Sequence, residues 1–219
     1  MRTRETPDVT SGLSRRSLFG VAMIVALPLR ARAALADTGA ATATIVRFNE
    51  ALLGVMKSGQ QTGFNRRFEV LAPAVDQAFD LRTVLTVSVG PGWANLLTDQ
   101  QNRLLDGFRR YTVASYVHSF DSYVGQRFTV SPDIRGLDGG RVVVQSRMAP
   151  ASGDATQLDY VMQPTSSGWK AVDVLSAGSI SRVAVQRSDF RRVLSQGGGD
   201  ALLTSLQRKA SDLSGGTLA

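Results

Sequence analysis

The chain has 219 residues, a length that suggests one domain or two small ones, and it contains no Cys and a single His. Without cysteines the fold depends on its core in any redox compartment, and these two counts exclude a structural zinc site. The formal net charge is +7, but six of the 25 basic and two of the 18 acidic residues lie in residues 1–33, which leaves +3 elsewhere. So small a surplus gives no support for a nucleic-acid partner.

Residues 1–33 have the organisation of an export signal. Arg15 and Arg16 precede an apolar segment, residues 20–29, and Ala31-Arg32-Ala33 is a small-x-small cleavage site. The apolar segment has about ten residues, whereas a helix that spans a bilayer needs about 20. The arginine pair favours twin-arginine export, with Sec export as the alternative. We expect cleavage near Ala33/Ala34 and a mature protein outside the cytoplasm.

After the signal we expect a flexible lead-in at residues 34–43, one domain at residues 44–213 and a tail at residues 214–219. Apolar spacing predicts a first helix over residues 44–56 and a second over residues 63–78. The second helix carries a stripe of large apolar side chains at helical spacing, Phe64, Phe68, Leu71, Val75 and Phe79. This stripe is either core alone or also the wall of a ligand pocket. Pro73 lies within it and is expected to kink or restart the helix.

Capping signals place the remaining helices. Asp80 is a candidate cap for a short helix over residues 81–87, and Thr98 with Gln101 forms a capping-box pattern that opens the longest helix, to about residue 123. Near the C-terminus, Ser188 is a candidate cap for a helix over residues 188–195. A glycine linker at residues 197–199 separates it from a last helix over residues 200–212.

Between these helices the apolar period changes to two. Strands are predicted at residues 128–131, 141–148, 157–163 and 169–175, joined by short turns, which favours a four-stranded antiparallel meander. Helices and strands that follow one another in blocks indicate an α+β protein. A curved sheet closed by helices makes a cone with an apolar interior.

Residues 168–190 carry a resemblance to a known family. A Gly-Trp-Lys strand runs into Asp-Val, a Gly-Ser-Ile-Ser step follows, and Arg187-Ser-Asp-Phe190 opens a helix. With Phe79-Asp80, Trp93, Thr98 and Phe108 upstream, this series resembles the MlaC (toluene-tolerance) family of periplasmic phospholipid-shuttling proteins of Gram-negative bacteria. The resemblance covers about residues 44–210.

The resemblance implies a nuclear-transport-factor-like α+β fold with a lipid-tail cavity between sheet and helices, in a periplasmic protein. It also implies three partners: a lipid ligand, an inner-membrane lipid ABC transporter complex and an outer-membrane lipoprotein complex. One branch of the family is associated with hopanoid biosynthesis, so the cargo is either a phospholipid or a polycyclic hopanoid. We predict no cofactor and no catalytic activity.

Candidate lining residues are the apolar positions expected to face inward. They are Phe68, Leu71, Val75, Phe79, Phe108, Tyr111, Val142, Val144, Leu158, Tyr160, Met162, Val172 and Val174.

Two alternatives remain open, a cone-fold enzyme acting on a hydrophobic lipid and a non-catalytic periplasmic scaffold. No nucleophile elbow, phosphate loop or metal-ligand pair is present in the sequence. Asp159 and Asp173 lie on adjacent predicted strands, where burial in an apolar cone would make either a candidate base. Alternation turns Asp159 toward solvent and leaves Asp173 ambiguous, and His118 is expected to be structural or exposed. Paired arginines such as Arg191-Arg192 are either solvated helix edges or contacts for acidic partners or a phosphate at the cavity mouth.

Overall fold

A computed structural model describes the backbone of residues 29–218 and the side chains of residues 38–218. Most of the predicted export signal therefore lies outside the described residues. The described chain forms five helices: α1 (Leu29–Ser58), α2 (Phe64–Ala78), α3 (Leu81–Val89), α4 (Thr98–Ser119) and α5 (Arg182–Leu213). It also forms five strands: β1 (Arg127–Gly136), β2 (Val142–Ala149), β3 (Thr156–Thr165), β4 (Gly168–Ser176) and β5 (Ile180–Ser181).

The strands form one antiparallel sheet in the order β1-β2-β3-β4-β5, which is curved and open. The α+β prediction is confirmed, but the sheet has five strands rather than four. The fifth strand has two residues, paired with Leu175 and Ser176 of β4, and is too short to give a periodic signal. Irregular pairing occurs in β1 between Val130 and Ile134, and opposite Val161 and Met162 of β3, and such bulges bend a sheet.

Helix α1 lies across the sheet and contacts β1, β2 and β4. Residues 34–43, where sequence analysis expected a flexible lead-in, are helical within α1. The alanines at 40, 41 and 43 favour helix, and Ala41 begins the buried stripe that continues through Ile45, Phe48 and Leu52. The apolar side of α1 thus extends to Ala41. The small and polar residues of this segment had suggested irregular structure.

Helix α2 is a single element that contains Pro73, so the expected restart at that proline does not occur. Pro73 is exposed, and the carbonyl left without its helical partner, that of the exposed Glu69, lies on the solvent side. Leu71 and Val75 are fully buried on the opposite side of the helix. The helix therefore keeps its core contacts through the proline.

Two predicted caps are misplaced. In α4 the cap is Leu97, whose backbone N–H donates to Gln100 Oε1 at 3.2 Å, while Gln101 donates its Nε2 to the Trp93 carbonyl at 3.0 Å. In α5 the cap is Ser181, whose Oγ accepts from the Ala184 N–H at 2.9 Å. Two adjacent glutamines at the start of α4, and two serines, Ser181 and Ser188, near the start of α5, compete for these roles, so local pattern alone does not select the residue that caps.

Of the other helix-end predictions, the Asp80 cap and the glycine break hold, whereas the end of α4 does not. Asp80 caps α3 by accepting from the Thr83 N–H at 2.9 Å. Helix α4 ends at Ser119, four residues before the predicted end. The predicted glycine linker breaks α5, because Gly197 and Gly198 have non-helical backbones and Gly198 has a φ of 62°, which favours glycine.

Candidate functional site

A cavity of about 250 Å³ lies between α3, α4, the first turns of α5 and the ends of β3 and β4. Its apolar wall comes from Phe79, Leu81, Val84, Phe108, Tyr111, Tyr116, Phe120, Leu158, Val174 and Val183. Its polar lining comes from Thr112, Ser115, Ser119, Asp173, Ser176, Arg182 and Gln186. An apolar interior with a few convergent polar groups is the usual composition of a small-molecule site.

Aromatic side chains form the base of the cavity. Tyr116 meets Phe48 edge-to-face with ring centroids 5.1 Å apart and stacks on Phe120 at 6.0 Å. Phe79 meets Phe48 at 5.2 Å, so the cavity wall continues directly into the core. Burial raises the pKa of Tyr116 and of the neighbouring Tyr160 well above the usual range, and both phenols stay neutral at physiological pH.

Two hydroxyl groups on the α4 side, those of Thr112 and Ser115, are satisfied within the helix. Thr112 Oγ1 donates to the Phe108 carbonyl at 2.8 Å, and Ser115 Oγ donates to the Tyr111 carbonyl at 2.8 Å. Their hydroxyl hydrogens are already donated to backbone carbonyls, so these two side chains present only oxygen lone pairs and carbon surface to the cavity. At these two positions an apolar ligand therefore leaves no donor unpaired.

Asp173 anchors the start of α5. Its Oδ1 accepts from the Val174 N–H at 2.8 Å and from the Val183 N–H at 3.1 Å, and its Oδ2 accepts from Ser181 Oγ at 2.5 Å. Ser181 in turn caps the helix. The carboxylate that sequence analysis left ambiguous thus holds the end of β4 to the first turn of α5.

The structure divides the thirteen predicted lining residues. Five line the cavity: Phe79, Phe108, Tyr111, Leu158 and Val174. Six are buried in the core and do not line the cavity: Leu71, Val75, Val142, Val144, Tyr160 and Met162. Phe68 packs against the core beside Arg109 and Arg110, in a separate shallow depression.

Val172 lies neither in the core cluster nor in the cavity wall. In the pairing of β3 with β4, Val161 lies opposite Asp173, and the next residue of β3, Met162, lies opposite Ala171. Val172 is therefore skipped in the register, and the alternation of inward and outward side chains fails there. Ala171 takes the inward position that strict alternation assigns to Val172.

Sequence reasoning missed the walls supplied by α3 and by the start of α5. Leu81 and Val84 occur in a helix too short for a clear apolar stripe, and Arg182, Val183 and Gln186 follow a two-residue strand. Tyr116 and Phe120, which were also missed, continue the helical spacing of Phe108 and Tyr111, and that signal could have found them.

Asp159 contradicts the prediction that it faces solvent, because it is 2% exposed. Gln157 Nε2 donates to its Oδ1 at 3.1 Å and its Oδ2 at 3.0 Å. The turn between β4 and β5 covers this pair, since a Cβ at Gly178 would come within 3.0 Å of Gln157 Nε2. His118 is exposed in the last turn of α4, as expected.

The part of the chain that the structure describes holds no cluster of His, Cys, Asp and Glu suited to a metal ion. Within that same part, no helix combines the length and apolar character that crossing a membrane requires.

Comparison with known proteins found a solved structure of similar fold and a matching family model. In a solved structure from Ralstonia solanacearum, a phospholipid-binding protein in complex with a phospholipid, the fold is similar, with a TM-score of 0.69. The two chains are 22% identical over 79% of this chain and 98% of that one, a level at which the likeness establishes the fold. A search of curated proteins found no match. The family model described as MlaC protein matches residues 47–208. Because this match spans well over half of the chain, the protein belongs to the MlaC family.

Proposed function

We propose that this protein is a periplasmic lipid carrier that holds the apolar part of one lipid in the cavity between α3, α4, α5 and the sheet. The observation that carries the proposal is the cavity itself, with an aromatic and aliphatic interior and its polar groups along α4, the end of β4 and the start of α5. Membership of the MlaC family and the phospholipid-bound relative of the same fold support lipid binding.

The energetics of the task explain why such a cavity is needed. Each CH₂ group kept from water contributes about 0.8 kcal/mol, so a ~16-carbon tail in water costs about 13 kcal/mol. A protein that moves a lipid through an aqueous compartment must offset that cost with buried apolar surface. It needs no chemical step.

The cavity volume bears on how a lipid enters. Ligand pockets generally have about 300–1,000 Å³, so the 250 Å³ here lies below the usual range. We expect the cavity to widen as cargo enters, by displacement of α3 and of the part of α5 before Gly197. The non-helical backbone at Gly197 and Gly198 ends that part of α5 and separates it from the segment buried through Leu202 and Leu206.

Three finer features belong to the same proposal. The resemblance suggests an inner-membrane lipid ABC transporter complex and an outer-membrane lipoprotein complex as the sites of loading and unloading. The arginine pair at Arg15 and Arg16 favours export through the twin-arginine route. The cargo is a phospholipid or a hopanoid, and both present an apolar body to the cavity.

The enzyme alternative depends mainly on Asp173, the carboxylate in the cavity wall. Its oxygens accept three hydrogen bonds from the backbone and from Ser181, an arrangement suited to a structural anchor. A general base requires a lone pair directed at the substrate. The bonding of Asp173 therefore favours the carrier.

Lipid analysis of the native protein tests the proposal. The protein is purified from periplasmic extract without detergent, and bound lipid is extracted and identified by mass spectrometry. We expect co-purifying lipid in a fixed ratio to protein, and its mass distinguishes phospholipid from hopanoid. A folded protein that yields no lipid, and takes none up from vesicles, would contradict the carrier and favour the scaffold.

A further inference from the structure

Among the described residues, two charged side chains line the cavity, Asp173 and Arg182. They differ in whether their charged groups have hydrogen-bond partners within the protein. The Asp173 carboxylate accepts three hydrogen bonds, from Val174, Ser181 and Val183. Its lone pairs are therefore largely occupied by the start of α5.

Arg182 is the first residue of α5 and is exposed at the edge of the cavity. It makes no hydrogen bond and no salt bridge with any described residue. Its five N–H donors are thus available to a ligand. Asp189, further along the same helix, already has Arg192 as its partner at 3.9 Å.

The charge of Arg182 reaches the cavity interior. Burial raises the pKa of Tyr116, and the positive charge of Arg182 acts in the opposite direction on the same phenol. Because Tyr116 is part of the aromatic base, an anion at the cavity mouth lies within the electrostatic influence of Arg182. Arg182 therefore lines the cavity, and its positive charge also acts on a group at the cavity base.

We propose that Arg182 binds the phosphate of the lipid head group at the cavity mouth and thereby selects phosphate-bearing cargo over uncharged lipid with the same tails. The inference rests on the proposed function, since it assigns the specificity of the same cavity. A planar guanidinium donates two parallel hydrogen bonds to phosphate oxygens, a geometry that Lys cannot reproduce. The apolar wall then binds the tails, and Arg182 determines which head group remains at the mouth.

A paired loading experiment isolates this contribution. Delipidated protein is incubated with micelles of an uncharged detergent that carry equal amounts of dioleoyl phosphatidylglycerol and dioleoylglycerol, which share identical tails. The protein is re-isolated, and the ratio of the two bound lipids is measured by mass spectrometry. We expect the wild type to prefer phosphatidylglycerol and Arg182→Gln to lose about three- to tenfold of that preference.

Two variants serve as controls. Arg187→Gln removes an equal charge from an exposed position on the same helix that does not line the cavity, and it should leave the ratio unchanged. Arg182→Lys keeps the charge and loses the two-bond geometry, so its ratio should fall between wild type and Arg182→Gln. Loading of dioleoylglycerol alone should be the same in all variants, which shows that the tail site is intact.

The outcomes separate the two proposals. If the wild type binds both lipids equally, or if Arg187→Gln has the same effect as Arg182→Gln, the assignment of Arg182 is wrong while the carrier stands. If inorganic phosphate, compared with chloride at equal ionic strength, removes the preference at low concentration, Arg182 binds free phosphate and the head-group assignment is wrong. If neither lipid is loaded into folded wild type, the carrier itself is wrong.

Discussion

Val144 and Val174 occupy one row of the sheet, on either side of Tyr160, yet their surroundings differ. Val144 is fully buried in the core cluster that includes Phe48 and Leu52 of α1. Val174 is half-buried and lines the cavity. The same face of the sheet is therefore filled at β2 and hollow at β4.

The difference comes from the helices that cover each end. A long helix, α1, packs directly on the sheet with Ile45, Phe48 and Leu52 all buried. Helix α1 also contacts β4, but around Val174 the cavity is bounded by the short α3, by α4 and by the first turns of α5, the last held to β4 by Asp173. The filled end supplies the stability that allows the hollow end to remain open, because large unfilled volumes cost stability.

The largest effect should come from the filled end. Phe48 is 1% exposed and meets Phe79, Tyr116 and Tyr160 edge-to-face. Phe48→Ala should lower the free energy of unfolding by about 3–5 kcal/mol, measured by urea denaturation. Phe120→Ala, in the cavity wall, should cost less than half as much. Equal losses would show that the two ends are packed alike.

A smaller effect should follow from releasing the anchor of α5. Asp173→Ala leaves the Val183 N–H and the Ser181 hydroxyl without their acceptor, and we expect a loss of about 1.5–3 kcal/mol by urea denaturation. Ser181→Ala, which removes the cap alone, should cost about 1 kcal/mol. Accumulation of an unaltered lipid precursor in cells, with cargo binding intact in Asp173→Asn, would instead support the enzyme.

The sharpest comparison places the same large side chain at both ends of the row. Val144→Trp overpacks the filled core and should cost about 1–3 kcal/mol, seen as a lower thermal midpoint with lipid content retained. Val174→Trp places the indole in the cavity, so it should fold with little loss and purify with much less lipid. Full lipid content in a folded Val174→Trp protein would contradict the assignment of the cavity.

The sequence predicted those features that local periodicity reports. Apolar spacing located α2 and residues 44–56 of α1, and alternation located four of the strands. Such patterns are readable because the buried side of an element is formed by residues three and four apart in a helix and two apart in a strand. The resemblance in residues 168–190 indicated the family, and the family match confirms it. Five of the proposed lining residues, Phe79, Phe108, Tyr111, Leu158 and Val174, lie in the cavity wall.

Tertiary structure alone decided which buried side chains face empty space. Periodicity marks Val144 and Val174 alike as inward, and only the element packed opposite each one makes the first core and the second cavity wall. The irregular pairing at Val161 took Val172 out of the wall, and Asp159 is buried beside Gln157, against which the turn containing Gly178 packs. Arg182 reached the cavity because Asp173 holds the start of α5 against β4. Each of these outcomes depends on residues from separate elements, and contacts of that kind leave no local pattern in the chain.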